Sequence, residues 1–233
     1  RLLKQVRVTV RDRQGKVVLD EKREKEFNGS LDLPKGDYRP LIADLSLQLR
    51  SGEMLSRKIE FVSGKRVEYS LFSNGKSDYH IVLSPGASAS EKWAAEELRR
   101  WLKEAGGADL PIVEPGKAKA GPNIIIGYPG SSIVGEKEPD ISDESSRYFN
   151  SGNNIYIYGG RQRGTMYGVF SFLERELGCR WYTPRVTVIP KRNEFTFSWL
   201  DHTEKPGVRV RNDFYYEAFE PVWAARNRVN GAM

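Results

Sequence analysis

Cysteine is almost missing from this chain. Cys179 stands alone among 233 residues, so no intramolecular disulfide can form. Between Gly178 and Arg180-Trp181 it reads as a packed side chain rather than a reactive thiol. Histidine is scarce as well. His80 falls in a strand and His202 in a polar linker, with no cysteine or carboxylate at ligand spacing, which argues against a metal centre. No apolar run approaches the length of a membrane-spanning helix. Neither Gly-Lys-Ser/Thr nor G-x-G-x-x-G occurs, so the nucleotide- and dinucleotide-binding loops are not supported and no cofactor is expected.

What is present is ordinary for a globular protein, with 29% charged and 39% hydrophobic residues. Lys+Arg 37 against Asp+Glu 31 leaves a net charge of +6. The basic residues are scattered and alternate with apolar ones, as on solvated strand faces, so a nucleic-acid partner is not expected and a mild attraction to acidic glycans is the most the charge implies. The chain opens at Arg1 without methionine or signal peptide, as a processed or engineered N-terminus does, and stops at Met233 without a closing element, as a fragment does.

Residues 1–75 read as all-β. Val6, Val8 and Val10 alternate with Arg7, Thr9 and Arg11, and Leu45, Leu47 and Leu49 alternate again. Turns are expected at Asp12–Gly15, Pro34–Asp37, Ser51–Glu53 and Ser63–Lys65. Strands are expected at Lys16–Asp20, Phe27–Leu33, from Tyr38, over Leu55–Val62 and through Val67, Tyr69 and Leu71. Six or seven short strands at this spacing suggest an antiparallel sandwich of immunoglobulin or fibronectin type, without the Cys–Trp–Cys signature of antibody domains.

Past the polar stretch Ser73–Ser77 the character changes. Tyr79–Leu83 reads as a strand, and Ser88-x-x-Glu91 is a capping box opening a helix with a stripe of Trp93, Ala94, Leu98, Trp101, Leu102 and Ala105. Trp93 and Trp101 could stack on sugars, but on that stripe they read as core. Strands follow at Leu110–Val113 and Asn123–Gly127, then a hairpin over Ser145–Tyr158. Glu136, Glu138 and the Asp143-Glu144 pair could serve as acid and base; in a Pro/Gly/Ser-rich connection they read as a solvated loop.

The region is organised around Asn154–Pro184. Ile155–Tyr158 reads as a buried strand broken by Gly159-Gly160. Met166, Phe170, Leu173 and Leu177 then mark one face of a helix, Gly178 ends it, and Arg180–Tyr182 is a further strand. A glycine turn opening a helix can bind an anion, but without a completed motif it reads as a tight turn with close helix–sheet packing. Val186–Ile189 and Glu194–Trp199 close the set.

The ordered set Gly164, Tyr167, Gly168, Phe172, Leu173, Glu174, Gly178, Trp181, Tyr182 and Pro184 resembles a signature of the non-catalytic α/β domain before the catalytic barrel in family 67 α-glucuronidases, and its counterpart in family 20 β-hexosaminidases. The likeness covers about residues 79–200. It implies a glycoside hydrolase whose (β/α)₈ barrel follows, entered through P-x-x-x-x-R, here Pro206 to Arg211. Val208 and Val210 alternate as a strand, whose end would lie on the catalytic face. By this resemblance Arg211 is the first candidate for a sugar-hydroxyl contact, its forked donors suiting vicinal oxygens. Asn212, Asp213, Trp223 and Arg226 are secondary candidates, against ordinary salt bridging and packing.

The expected fold is multidomain, α+β / α/β: an antiparallel β-sandwich (1–75), an α/β accessory domain with helices on a mixed sheet (76–200), and a linker with the first strand of an absent barrel (201–233). The expected role is the non-catalytic N-terminal portion of a secreted or periplasmic carbohydrate-active enzyme. Its partners would be poly- or oligosaccharide and its own C-terminal barrel, with no catalytic residue, metal, nucleic acid or membrane span. The alternative is a stand-alone glycan-binding or protein-docking module without catalysis; an unrelated α/β enzyme is disfavoured because no nucleophile–base–orienter set is visible.

Overall fold

A computed structural model describes residues 3–12, 15–24, 33, 39–64, 66–118 and 121–230. It has mixed α and β content and divides into two compact units, Arg1–Val67 and Glu68–Met233.

Among its described residues the first unit holds four strands, β1 (Leu3–Asp12), β2 (Val17–Glu24), β3 (Arg39–Leu49) and β4 (Met54–Ser63), in one antiparallel sheet of order β2-β1-β3-β4. The two-residue period sends Val6, Val8 and Val10 to a buried face with Leu41 and Ala43. On the other face Arg7 sits beside Asp20, with Nε 2.9 Å from Oδ1, and Thr9 donates to the same carboxylate at 3.0 Å. The Arg7 hydrogen bond foremost, then that of Thr9, holds the Asp20 carboxyl down at about 2.

The two-sheet sandwich is not formed among the described residues: there is one sheet here, of long strands. Nothing between Leu41 and Leu49 breaks the chain, so two expected short strands merge into β3. Of the strand expected over Phe27–Leu33, all but Leu33 lies outside the described residues, as does the turn at Pro34–Asp37 with Tyr38. Tyr69 and Leu71 belong to the second unit, where β5 (Tyr69–Ser73) pairs with a strand from the far end of the chain.

The second unit continues with β6 (His80–Leu83), α1 (Ala89–Gly106), β7 (Ile112–Val113), β8 (Asn123–Ile126), α2 (Ser131–Val134), β9 (Ser146–Ser151), β10 (Asn154–Gly159) and α3 (Gly164–Arg175). It closes with β11 (Arg180–Trp181), β12 (Thr187–Val188), β13 (Glu194–Phe197), β14 (Asp201–Glu204) and α4 (Pro221–Arg226). Six strands form a mixed sheet of order β14-β9-β10-β8-β6-β7. Strands β10, β8, β6 and β7 run parallel, and β9 alone runs against them, pairing antiparallel with β10 on one side and with β14 on the other. Two small pairs, β11-β12 and β13-β5, flank it.

Helix α1 starts where the sequence says. Ser88 Oγ accepts from the Glu91 N–H at 3.3 Å and the Glu91 carboxylate accepts from the Ser88 N–H at 2.8 Å, satisfying two orphan donors. Its stripe packs on the sheet; Leu98 and Leu102 are fully buried, worth about 2 kcal/mol each. Helix α3 is buried on every side from Gly164 to Leu173. Trp93 lies 5.4 Å from Phe170 and Trp101 5.8 Å from Trp181, so both tryptophans of α1 pack in or against the core rather than form a sugar platform.

The glycine turn after β10 is occupied by the protein itself. A Cβ on Gly160 would stand 2.1 Å from the Asp143 carbonyl oxygen and 2.5 Å from that of Asp140. The Gln162 N–H donates to the Ile141 carbonyl at 3.0 Å. Thr165 locks the bend: its hydroxyl accepts from the Gly159 N–H at 3.1 Å and points at the buried Glu91 carboxylate 3.2 Å away. Gly160 thus admits a neighbouring loop, and Gly168, whose Cβ would stand 3.0 Å from Ile157 Cγ2 of β10, lets the helix close on the sheet as the packing reading expects.

Residues 201–204 are a correction. They read as linker because Asp-His-Thr-Glu carries no apolar alternation, yet they form the edge strand β14. The strand expected over Val208–Val210 is not formed; both valines are more than 60% exposed and the segment is irregular.

Candidate functional site

From Lys205 to Asn230 the chain crosses the second unit as a strap with little regular structure: a 3-10 turn at Tyr216–Phe219, the single turn-and-a-half of α4, and a return to Asn230. A segment so poor in internal hydrogen bonds needs anchors. Glu144 supplies the first. Its Oε2 accepts from Arg211 Nη2 at 2.6 Å and from the Asn230 amide, and its Oε1 accepts from Arg163 Nη1 at 3.2 Å.

Arg211 is engaged at all three guanidinium nitrogens. Besides Glu144, its Nε donates to the Arg228 carbonyl at 2.8 Å and its Nη1 to the Val208 carbonyl at 3.1 Å, and the guanidinium lies 5.5 Å from the centre of the Tyr167 ring. Asn230 closes the loop, its Oδ1 accepting from the Arg211 N–H at 2.7 Å. Arg228 takes a positive φ of 60°, unusual for a side-chain-bearing residue. Its Nη2 meets Glu174 and its Nε lies 3.3 Å from Glu204 Oε1, while Nη1 is buried without a partner among the described residues.

The second anchor is α4. Glu220 caps it, accepting from the Trp223 N–H at 2.6 Å. The Trp223 indole donates to the Trp181 carbonyl at 2.9 Å. Arg226 donates from Nε to Glu97 Oε2 at 2.9 Å, with Nη2 at 2.8 Å, and stacks over the Trp101 ring at 5.0 Å. Glu97 also accepts from the Trp101 indole at 2.9 Å, and both charged side chains are nearly buried.

The five sequence candidates therefore separate. Arg211 joins a cluster with Glu144, Tyr167, Arg228 and Asn230; Trp223 and Arg226 join another around Trp181. Asn212 and Asp213 are exposed between them, the Asp213 carboxylate accepting from the Tyr215 N–H at 3.1 Å in a local turn. Sequence reasoning places Glu144 in a solvated loop and passes over Glu97. Glu144 sits in a run of small polar residues with no periodicity, so only its tertiary partners reveal it. Glu97 carries a signal: a carboxylate one turn before Trp101 on the buried stripe needs a cation or donor to face it.

Around the first anchor lies a pocket of about 160 Å³, lined among others by Glu144, Tyr167, Glu204, Arg211 and Arg228. It opens beside a cleft of about 530 Å³ that shares Glu144, Pro206 and Arg211 and adds Gln162, Lys205 and Arg209. Two carboxylates on one pocket invite an acid–base reading. Glycoside hydrolysis needs one carboxyl held protonated by an apolar setting, whereas Glu144 and Glu204 each face a guanidinium. Where described acids show a displaced pKa — Asp20, Glu104, Asp109 and Asp140 — it is downward, led by hydrogen bonds to a cation or, for Asp140, to Ser142. The Tyr167 hydroxyl is pushed up by burial, with the Glu144 charge adding to it. Among the described residues no cluster of three or more His, Cys, Asp or Glu could hold a metal ion, and no helix is long and apolar enough to cross a membrane.

No protein-family model matches the chain, and no curated protein matches it. Among solved structures, one titled "Structure of CpGH84D", a glycoside hydrolase, aligns at 14% identity with a TM-score of 0.33, over 46% of this chain and 18% of that one. This chain thus spans under a fifth of that protein's length, and the likeness is that of a weak structural neighbour.

Proposed function

We propose that the chain is the non-catalytic N-terminal portion of a secreted or periplasmic carbohydrate-active enzyme, a glycoside hydrolase of the α-glucuronidase or hexosaminidase kind. Its second unit would hold a downstream (β/α)₈ barrel in place. The observation that carries this reading is the state of the half-buried and buried acids around the strap. Glu97, Glu144, Glu174 and Glu204 are each engaged by an arginine that fixes residues 205–230. Acids spent on arginines are suited to holding a segment, not to passing protons. The sequence signature of α3 and the following strand supports the carbohydrate-enzyme half of the reading. In it Arg211, Asn212, Asp213, Trp223 and Arg226 stand at the entrance to the barrel, with Arg211 and Arg226 fixing the irregular segment that would lead into it.

The test is to read the coding sequence past Met233, express the longest open chain, and assay it and residues 1–233 in parallel on aryl glycosides and xylan-derived oligosaccharides. Hydrolysis by the longer chain alone is the expected result. A stop codon directly after Met233, or equal hydrolysis by residues 1–233, would overturn the proposal.

A further inference from the structure

Beside the second anchor, the turn Tyr216–Phe219 and the start of α4 face the β11–β12 connection across a groove of about 690 Å³, inside the roughly 300–1,000 Å³ of small-molecule sites. The aromatic residues of this stretch point outward. Tyr216 is 88% exposed and Phe219 56%, with Phe214 and Tyr215 also exposed just before them. Elsewhere in the unit Tyr148, Phe170 and Phe172 are buried, whereas Tyr182, next to Thr183 of the groove, is exposed as well. Exposed rings concentrated in one stretch mark a binding surface.

The polar groups in the groove define its occupant. Arg185 and Glu217 line it, and neither side chain has a partner among the described residues, whereas Arg211, Arg226 and Arg228 of the strap are all paired. The Thr183 hydroxyl accepts from the Arg185 and Val186 N–H groups at 3.2 and 3.0 Å, so its proton is free to donate. Glu220 adds a second carboxylate. The groove thus offers aromatic faces beside a forked donor, a hydroxyl and acceptors. That set matches a pyranose, whose C–H faces stack on rings while its vicinal hydroxyls both donate and accept. An acyl chain or apolar helix would bury Arg185 and Glu217 unpaired. A phosphate backbone would meet two carboxylates against one guanidinium.

We infer that the groove between Thr183–Arg185 and Tyr216–Pro221 binds a neutral oligosaccharide, stacked on Tyr216 and Phe219 and hydrogen-bonded by Arg185 and Glu217. The inference shares with the proposed function only the carbohydrate nature of the ligand. Hydrolysis by a longer chain without binding here would remove this inference and leave that reading standing; binding here with no hydrolase sequence downstream would do the reverse.

The experiment uses the 233-residue chain. Cellohexaose, xylohexaose and mannohexaose are titrated calorimetrically, with polygalacturonate as the acidic comparison. The same titrations are run on Tyr216→Ala/Phe219→Ala and on Arg185→Ala, with sedimentation velocity alongside. Binding of at least one neutral hexasaccharide is expected, weakened about tenfold or more in both variants at unchanged melting temperature. Three results would overturn the inference: no neutral hexasaccharide binds, the double variant binds as tightly as the parent, or the aromatic stretch instead mediates a dimer that the double variant dissolves.

Discussion

Replacing Arg226 with Met leaves an apolar side chain beside Trp101 and removes the guanidinium, with its charge and its donors to Glu97. The side chains of Arg226 and Glu97 are 11% and 7% exposed. Stranding one member of a pair this buried costs about 3–5 kcal/mol. Two residual contacts place the expected loss at the lower end, about 3 kcal/mol. The Trp101 indole still donates to Glu97, and the exposed Arg100 lies 3.5 Å from its other oxygen. Because α4 belongs to the strap and not to the sheet, the loss should appear as local detachment. Hydrogen exchange of the amides over 222–227 should accelerate about a hundredfold while those of α3 stay protected. Glu97→Gln retains an acceptor for Trp101 and completes a double-mutant cycle with Arg226→Met, with an expected coupling of about 2 kcal/mol. A coupling below about 0.5 kcal/mol, the range of exposed pairs, with unchanged exchange over α4, would refute the anchoring argument.

Four further outcomes are expected. Gly160→Ala should cost about 3 kcal/mol or prevent folding, because its Cβ meets backbone carbonyls that cannot swing aside; a urea midpoint within error of the parent would contradict the close packing. Ser88→Ala should lower stability by about 1–2 kcal/mol in the same assay, since it removes the helix cap and a hydroxyl donor to the Arg161 carbonyl at 2.7 Å. Burial foremost, then Arg175, pushes the His202 pKa below its ordinary value, with Glu204, Glu176 and Asp201 opposing. The unfolded chain therefore takes up that proton at higher pH than the folded one, so this contribution is intact above about pH 6.5 and is lost as pH falls toward the folded value; His202→Asn should flatten the melting temperature between pH 7.5 and 5.5. Burial likewise pushes the Cys179 thiol up to about 11, so it should react with a disulfide reagent only after denaturation.

Where periodicity and capping agree, the sequence was readable. Ser88 with Glu91 predicts the start of α1, the Trp93–Ala105 stripe predicts its buried face, and Ile155–Tyr158 followed by two glycines predicts β10 and its turn. What escaped was decided by partners distant in sequence. β14 is polar because it is an edge strand, held by pairing to β9 and by His202 against the Tyr148 ring at 5.3 Å. Tyr69 and Leu71 have the alternation of the first-unit strands, and period alone cannot say which sheet a strand joins. The site divided the same way. Arg211 and Arg226 could be picked out as significant arginines, but not that Glu144 and Glu97 already hold them. Nor did the sequence distinguish the outward Tyr216 and Phe219 from core aromatics, since no period runs through that turn.

The pairing of β5 with β13 also has a consequence for the chain as it is made. Phe72 lies against Phe195, their ring centres 6.2 Å apart, and the two strands are separated by roughly 120 residues. A ribosome delivering this protein releases Tyr69–Ser73 long before its partner exists. During that interval the Leu71–Phe72 edge is an unpaired apolar strand, open to other nascent chains. The second unit can settle only when Phe197 has emerged, so any truncation before that point should yield aggregates rather than a smaller folded piece.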